Sequence, residues 1–185
     1  NKGSTLAYSG TIPIFAIIFK IFNFFLNENY NYFGLWIFIC FYLQILLSFL
    51  IINKLTNNFL ISLIGSLFFL LSPILINKIG FHLSLSGHWI ILLSFYFFLD
   101  NNHKNKYLYN IYLIAFSTLI HFYFTMILFS IYFFFSFFDF LDKKNFIFHF
   151  KKILILLILI IPFMYIVGYF TIPAQDTLGF GYGYY

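Results

Sequence analysis

The hydrophobic positions of the chain fall into long, almost uncharged windows separated by short polar stretches. An α-helix rises about 1.5 Å per residue, so about 20 apolar residues cross a hydrocarbon core of about 30 Å. Windows of this kind predict membrane-spanning helices at residues 33–52, 59–76, 83–99, 107–120, 122–138 and 153–170. The pattern therefore predicts an all-α fold, a polytopic transmembrane helical bundle with about six spans.

The stretch 107–138 is too long for a single upright span. As one helix it would run about 48 Å, so it either tilts strongly or breaks. A break near His121 places Lys104 and Lys106 on the same side of the membrane as the lysines that follow the stretch, which the positive-inside rule favours. We therefore predict two helices, although neither Gly nor Pro marks a turn beside His121.

All ten basic residues are lysines, and their positions predict the orientation of the chain. With six spans, seven lysines lie on one side of the membrane, and the other three are Lys2, Lys20 and Lys78. The positive-inside rule places the more basic side in the cytoplasm. The cytoplasmic loops are then residues 53–58, 100–106 and 139–152.

The segment from Thr11 to Leu26 is apolar but carries one polar stripe. Lys20, Asn23 and Asn27 recur at i, i+3 and i+7, which share one face of a helix. This favours an amphipathic helix lying on the outer face of the membrane; a short extra span interrupted by Lys20 is the alternative. The predicted domains are an outer-face segment at 1–32, the transmembrane domain at 33–170 and the start of a truncated outer-face loop at 171–185.

The composition agrees with a membrane protein, since 63% of the residues are hydrophobic and 8% are charged, against about 25% charged in soluble domains. The 32 Phe and 15 Tyr, with lysine but no arginine, fit an A/T-rich coding sequence in which Phe and Ile replace Leu as membrane filler. Spans without a buried acid or base argue against an ion-coupled pump. The basic balance comes from the lysine loops, so nucleic acid is not an expected partner. The chain lacks an initiator Met and is expected to be part of a longer protein.

Three histidines are expected at the outer membrane surface. His82, His88 and His121 lie at the ends of three different predicted spans. Six residues separate His82 from His88, so on one continuous helix their side chains would point about 240° apart. They converge only if the chain bends between them, and Gly80 and Gly87 would permit such a bend.

The sequence allows three interpretations of what these histidines do. A zinc site would need further ligands, but no CxxC, HExxH or acidic fourth ligand accompanies them, so neither a metal nor a cofactor is predicted. They are otherwise ordinary interfacial residues, or they hold an anionic or sugar group of a substrate, with Lys78 supplying positive charge.

The residues from Ser72 to Trp89 resemble a motif of a bacterial family of large polytopic membrane proteins. In that family an S-P-x-L segment leads to H-x-x-L-x-x-H-W, which His82, Leu85, His88 and Trp89 match. Other features that resemble it are Ile12-Pro13-Ile14, the break around His121 and Tyr123, and the final Gly-Phe-Gly-Tyr stretch. The family is similar to the GT-C integral membrane glycosyltransferases. This chain departs from the family motif at Phe122, where the bacterial family often has Pro after the histidine.

The resemblance implies an enzyme that transfers a sugar from a polyprenyl-phosphate donor at the outer face of the bacterial inner membrane. Its partners would be membrane lipid and the lipid-linked sugar donor. The expected substrate-binding residues are Lys78, His82, His88, Trp89 and His121. Because the helix ends bring the histidines to the same side of the membrane, we expect them to share one cavity with Trp89 at its rim. The carboxylate of the GT-C pattern has no match in residues 1–10, so the catalytic residue is unknown. A non-enzymatic lipid or polysaccharide transporter, or a membrane scaffold, is the alternative.

Overall fold

Helices build the part of the chain that the structure, a computed structural model, describes: residues 11–22, 31–99, 105–143 and 146–170. Across these residues there is no strand, which confirms the all-α class. The elements are α1 (Pro13–Ile21), α2 (Phe33–Thr56), α3 (Phe59–Leu70), α4 (Pro73–Phe81), a 3-10 helix (Leu83–Ser86), α5 (Trp89–Leu99), α6 (Lys106–Ser117), α7 (Phe122–Lys143) and α8 (Phe146–Val167). The predicted loop at 171–185, and Asn23 and Asn27 of the predicted stripe, lie outside the described residues.

Helices α5, α6 and α7 alternate in direction. The Ser94 hydroxyl donates to Asn110 Oδ1 at 2.6 Å, and the rings of Phe98 and Tyr107 lie 5.6 Å apart, so the end of α5 meets the start of α6. The Tyr107 hydroxyl in turn donates to the carbonyl oxygen of Phe135, near the end of α7, at 3.2 Å. Helix α6 is therefore antiparallel to both α5 and α7.

Helices α2 and α5 run in the same direction, which defines two ends of the bundle. At one end the indole N–H of Trp36 donates to the Leu83 carbonyl oxygen at 2.8 Å. At the other end Lys54 Nζ lies 5.4 Å from the centre of the Tyr96 ring. We call the end that carries Trp36 and the three histidines the histidine end, and the end that carries Lys54 the lysine end.

The long stretch predicted to break near His121 does break there, between α6 and α7. Hydroxyl groups, rather than Gly or Pro, accompany the break. The side chains of Ser117 and Thr118 each donate to the carbonyl three residues earlier, at 2.6 and 2.7 Å. The Leu119 carbonyl, which lies in the turn, accepts the backbone N–H of Ile14 at 2.8 Å. Since α1 satisfies this carbonyl, the break is stable without a special turn residue.

Helix α3 has the burial pattern of a helix in lipid. Its buried residues are Ser62 and Ser66. Between them, a Cβ on Gly65 would lie 2.6 Å from Ile52 Cδ1 of α2, so the two helices approach closely here. Small residues four positions apart permit this kind of packing in membranes. The exposed residues are Phe59, Leu60, Ile61, Leu63, Ile64, Leu67, Phe68 and Phe69. Helix α3 therefore has an apolar outer surface and packs on α2 through small residues, as expected of a helix surrounded by the hydrocarbon core of a membrane.

Three helical segments are long and apolar enough to cross a membrane: Phe33–Thr56, Phe59–Phe81 and Phe122–Leu141. The second joins α3 and α4. The segment Leu83–Leu99 is apolar but shorter, and the 12 residues of α6 rise about 18 Å. Within the described ranges the structure thus supports a membrane protein with three such segments, and the predicted number of six spans is not confirmed.

Helix α1 is short over the residues that the structure describes. Its 9 residues rise about 13 Å, less than half of a hydrocarbon core. It lies against the histidine end, where the ring of Phe15 meets Trp36 edge-on at 5.6 Å. Lys20, in its last turn, is exposed. This agrees with a helix that packs on the surface of the bundle.

Candidate functional site

The segment that carries His82 and His88 is fixed to the start of α2. Trp36 is only 1% exposed, and its indole N–H reaches both the Leu83 carbonyl oxygen and Ser86 Oγ, at 2.8 and 3.0 Å. Ser86 Oγ also donates to the Leu83 carbonyl at 2.7 Å. These bonds hold the 3-10 helix in one position relative to α2. Sequence reasoning missed Trp36, because only the tertiary contact reveals its role.

The chain bends between His82 and His88, but not where the glycines were expected to permit it. The bend lies at His82, which has an extended backbone (φ −145°, ψ 80°) between α4 and the 3-10 helix. Gly80 lies inside α4. Gly87 allows a close approach instead, since a Cβ there would lie 3.3 Å from both Phe124 Cε2 and Trp36 Cζ2.

We expect Gly87→Ala to lower the free energy of unfolding by about 1–3 kcal/mol, because the added methyl group overfills a packed contact. Gly80→Ala is the matched control: nothing lies within 4 Å of its Cβ position, so it should be neutral or slightly stabilising. Unfolding of both variants in detergent micelles would measure the difference. Equal stability of the two variants would contradict the close packing at Gly87.

His88 lies just before α5 and contacts the start of α7. Its ring meets the ring of Phe124 edge-on, with centroids 5.9 Å apart. Burial lowers the pKa of the His88 imidazole below its ordinary value, and the positive charge of Lys78 lowers it further. His88 is therefore neutral at pH 7, and Lys78 carries the positive charge of this pair.

His121 occupies the turn between α6 and α7. Its Nδ1 accepts the backbone N–H of Tyr123 at 3.1 Å, so in the neutral ring the proton is on Nε2, which can donate to a ligand. Burial lowers the pKa of His121, and the charge of His82 lowers it further. His82 itself is exposed. Lys78 is thus close enough to act on His88, and His82 on His121, at the histidine end.

The predicted site residues do not all occupy the places expected of them. Lys78, His82, His88 and His121 lie at the histidine end, while a cavity shared by them stays a prediction. Trp89 is not at a rim: it is 8% exposed and belongs to the hydrophobic core, because the first residue of α5 packs into the bundle. Among the side chains that the structure describes, no group of three His, Cys, Asp or Glu is placed to hold a metal ion.

Family comparison settles membership but not activity. The sequence profile of the DUF6311 family, described as a domain of unknown function, matches residues 1–185. The chain belongs to the DUF6311 family. No curated protein matches this DUF6311 chain, and no solved structure matches it. The comparisons give no link between the chain and the GT-C glycosyltransferases.

Proposed function

We propose that this DUF6311 chain is a membrane-embedded part of a GT-C-like glycosyltransferase, and that its histidine end binds the phosphate of a polyprenyl-phosphate-linked sugar. The observation that carries the proposal is the presence of Lys78, His82, His88 and His121 at one end of the bundle, in or next to α4, α5 and α7. A lipid-linked donor fits this place, because its phosphate would lie at the membrane surface and its polyprenyl chain in the bilayer.

The residues at the histidine end suit the departing lipid phosphate. Lys78 provides a full positive charge, and His121 Nε2–H and the neutral His88 ring provide hydrogen-bond donors without additional charge. A charge-assisted hydrogen bond of this kind contributes about 1.5–3 kcal/mol. Deprotonation of the acceptor hydroxyl needs a base, commonly a carboxylate, which we assign to no residue described here.

The proposed topology has six spans, formed by α2, α3 with α4, α5, α6, α7 and α8, in the bacterial inner membrane. The alternating directions of α5, α6 and α7 support it, as does the position of Lys54, Lys106 and Lys152 near Tyr96 and Tyr107 at the lysine end. The positive-inside rule then assigns the lysine end to the cytoplasm and the histidine end to the outer face.

Cysteine labelling at the two ends of α2 tests this orientation. Asn31 precedes α2, Thr56 is its last residue, and both are exposed, whereas Cys40 is buried and can be replaced by Ala. In intact cells we expect an impermeant thiol reagent to label Asn31→Cys and to label Thr56→Cys only after permeabilisation. The reverse pattern would overturn the orientation, and labelling of both in intact cells would overturn the span between them.

The activity itself is tested with the full-length protein in proteoliposomes containing a polyprenyl phosphate that carries a radiolabelled sugar. Label that leaves the lipid for an acceptor supports the glycosyltransferase. Label that crosses the bilayer while still attached to the lipid would favour the transporter alternative. Label that does neither would overturn both functions and leave a scaffold.

A further inference from the structure

The lysine end carries an excess of positive charge beside an apolar surface. Among the side chains described there, four are lysines and one is a carboxylate, Asp139. The lysines are Lys54, Lys106, Lys151 and Lys152. From this arrangement we infer that the lysine end binds the headgroups of anionic phospholipids.

Tyrosine rings lie beside three of these lysines. Lys152 Nζ lies 4.3 Å from the centre of the Tyr107 ring, and Lys106 Nζ lies 5.6 Å from the same ring. Tyr107 is itself fixed, because its hydroxyl lies within hydrogen-bonding distance of the Asp139 carboxylate and of the Phe135 carbonyl. Three helices, α6, α7 and α8, thus meet at one ring that positions two ammonium groups.

Exposed apolar side chains next to the lysines favour a lipid over a soluble anion as the ligand. Beside Lys54, the side chains of Leu55 and Phe59 are 66% and 63% exposed, and close to Lys151 the side chain of Leu154 is 50% exposed. A soluble polyanion would leave this apolar surface in water. A phospholipid matches both parts, since its phosphate meets the lysines and its acyl chains cover the leucine and phenylalanine side chains. Tyrosine and lysine at this level are typical of a membrane–water interface.

Lipid binding to the purified full-length protein tests the inference. Affinity for phosphatidylglycerol and for phosphatidylcholine would be measured in micelles by native mass spectrometry. Each lysine near an anionic headgroup is worth about five-fold in affinity, so the double variant Lys54→Gln/Lys151→Gln should bind phosphatidylglycerol roughly 25-fold more weakly. Both residues are exposed, so the variant should fold.

Lys20→Gln is the matched control, because Lys20 is an exposed lysine of α1 at the opposite end. It should leave phosphatidylglycerol binding unchanged. Equal affinity of the wild-type protein for both lipids would overturn the inference. An equal loss of phosphatidylglycerol affinity in Lys20→Gln would also overturn it. So would inorganic polyphosphate that binds as tightly as phosphatidylglycerol. If the double variant fails to fold, salt provides a second test on the wild-type protein. Weaker phosphatidylglycerol binding at about 1 M salt would support the inference, and an affinity that salt does not change would contradict it. The result does not depend on sugar transfer.

Discussion

Replacing Lys78 by Gln is expected to weaken use of the lipid-linked sugar donor ten-fold or more. The imidazoles of His88 and His121 have lowered pKa values, so at pH 7 they donate hydrogen bonds without carrying charge. Lys78 then makes the charge-assisted contact, worth about 1.5–3 kcal/mol, and each 1.4 kcal/mol corresponds to about a factor of ten. The measurement is the rate of label transfer from the donor at subsaturating concentration.

Lys20→Gln is the control for this experiment, because it removes one exposed lysine that belongs to neither proposed binding site. It should retain the transfer rate of the wild type, provided that both proteins are reconstituted in the same lipid. A Lys78→Gln protein that is folded and fully active would remove Lys78 from the proposed phosphate site. Equal losses in both variants would indicate a general effect of charge rather than a site.

Trp36→Ala should produce the largest loss of stability, about 3–5 kcal/mol in the free energy of unfolding. The buried indole packs against Phe15 of α1 and bonds to the 3-10 helix, so its removal leaves a cavity and frees the Leu83 turn from α2. In lipid, burying apolar surface between helices gains no free energy from the hydrophobic effect. The loss of van der Waals packing and of the hydrogen bonds still lowers the free energy of unfolding. Unfolding by added denaturing detergent provides the measurement.

Phe38→Ala, two residues along the same helix, is the matched control because Phe38 is 67% exposed. It should change stability little. Trp36→Phe should fall between the two, since it keeps most of the ring but loses the indole N–H. If Trp36→Ala is no less stable than Phe38→Ala, the contact between α2 and the 3-10 helix does not stabilise the fold.

Sequence reasoning succeeded where a property is repeated along the chain. Hydrophobic windows predicted an all-helical fold, and the length of the stretch 107–138 together with the lysine positions predicted a break near His121. Both signals are sums over many residues. The number of spans was not confirmed, because the 12 residues of α6 rise only about 18 Å, and length alone does not decide whether such a helix crosses a bilayer.

Properties that depend on a single contact were not predictable. Trp89 was expected at a rim, and Gly87 was expected to provide a bend. The structure places the first in the core and gives the second close contacts with Trp36 and Phe124. Neither outcome follows from spacing, because residues distant in sequence decide it. The histidines were placed at one end, near Lys78, from the span boundaries alone, while the contact of His88 with Phe124 and the hydrogen bond from the Tyr123 N–H to His121 required the tertiary structure.

The hydrogen bond between Ile14 and Leu119 makes the histidine end depend on the first described helix. If α1 were removed, the Leu119 carbonyl would lose its partner next to His121, and one face of Trp36 would be uncovered. A recombinant protein that begins at α2 would therefore carry all of the candidate site residues in altered surroundings. Loss of binding in such a protein would report on the missing helix, so α1 belongs in any version used to measure the activity.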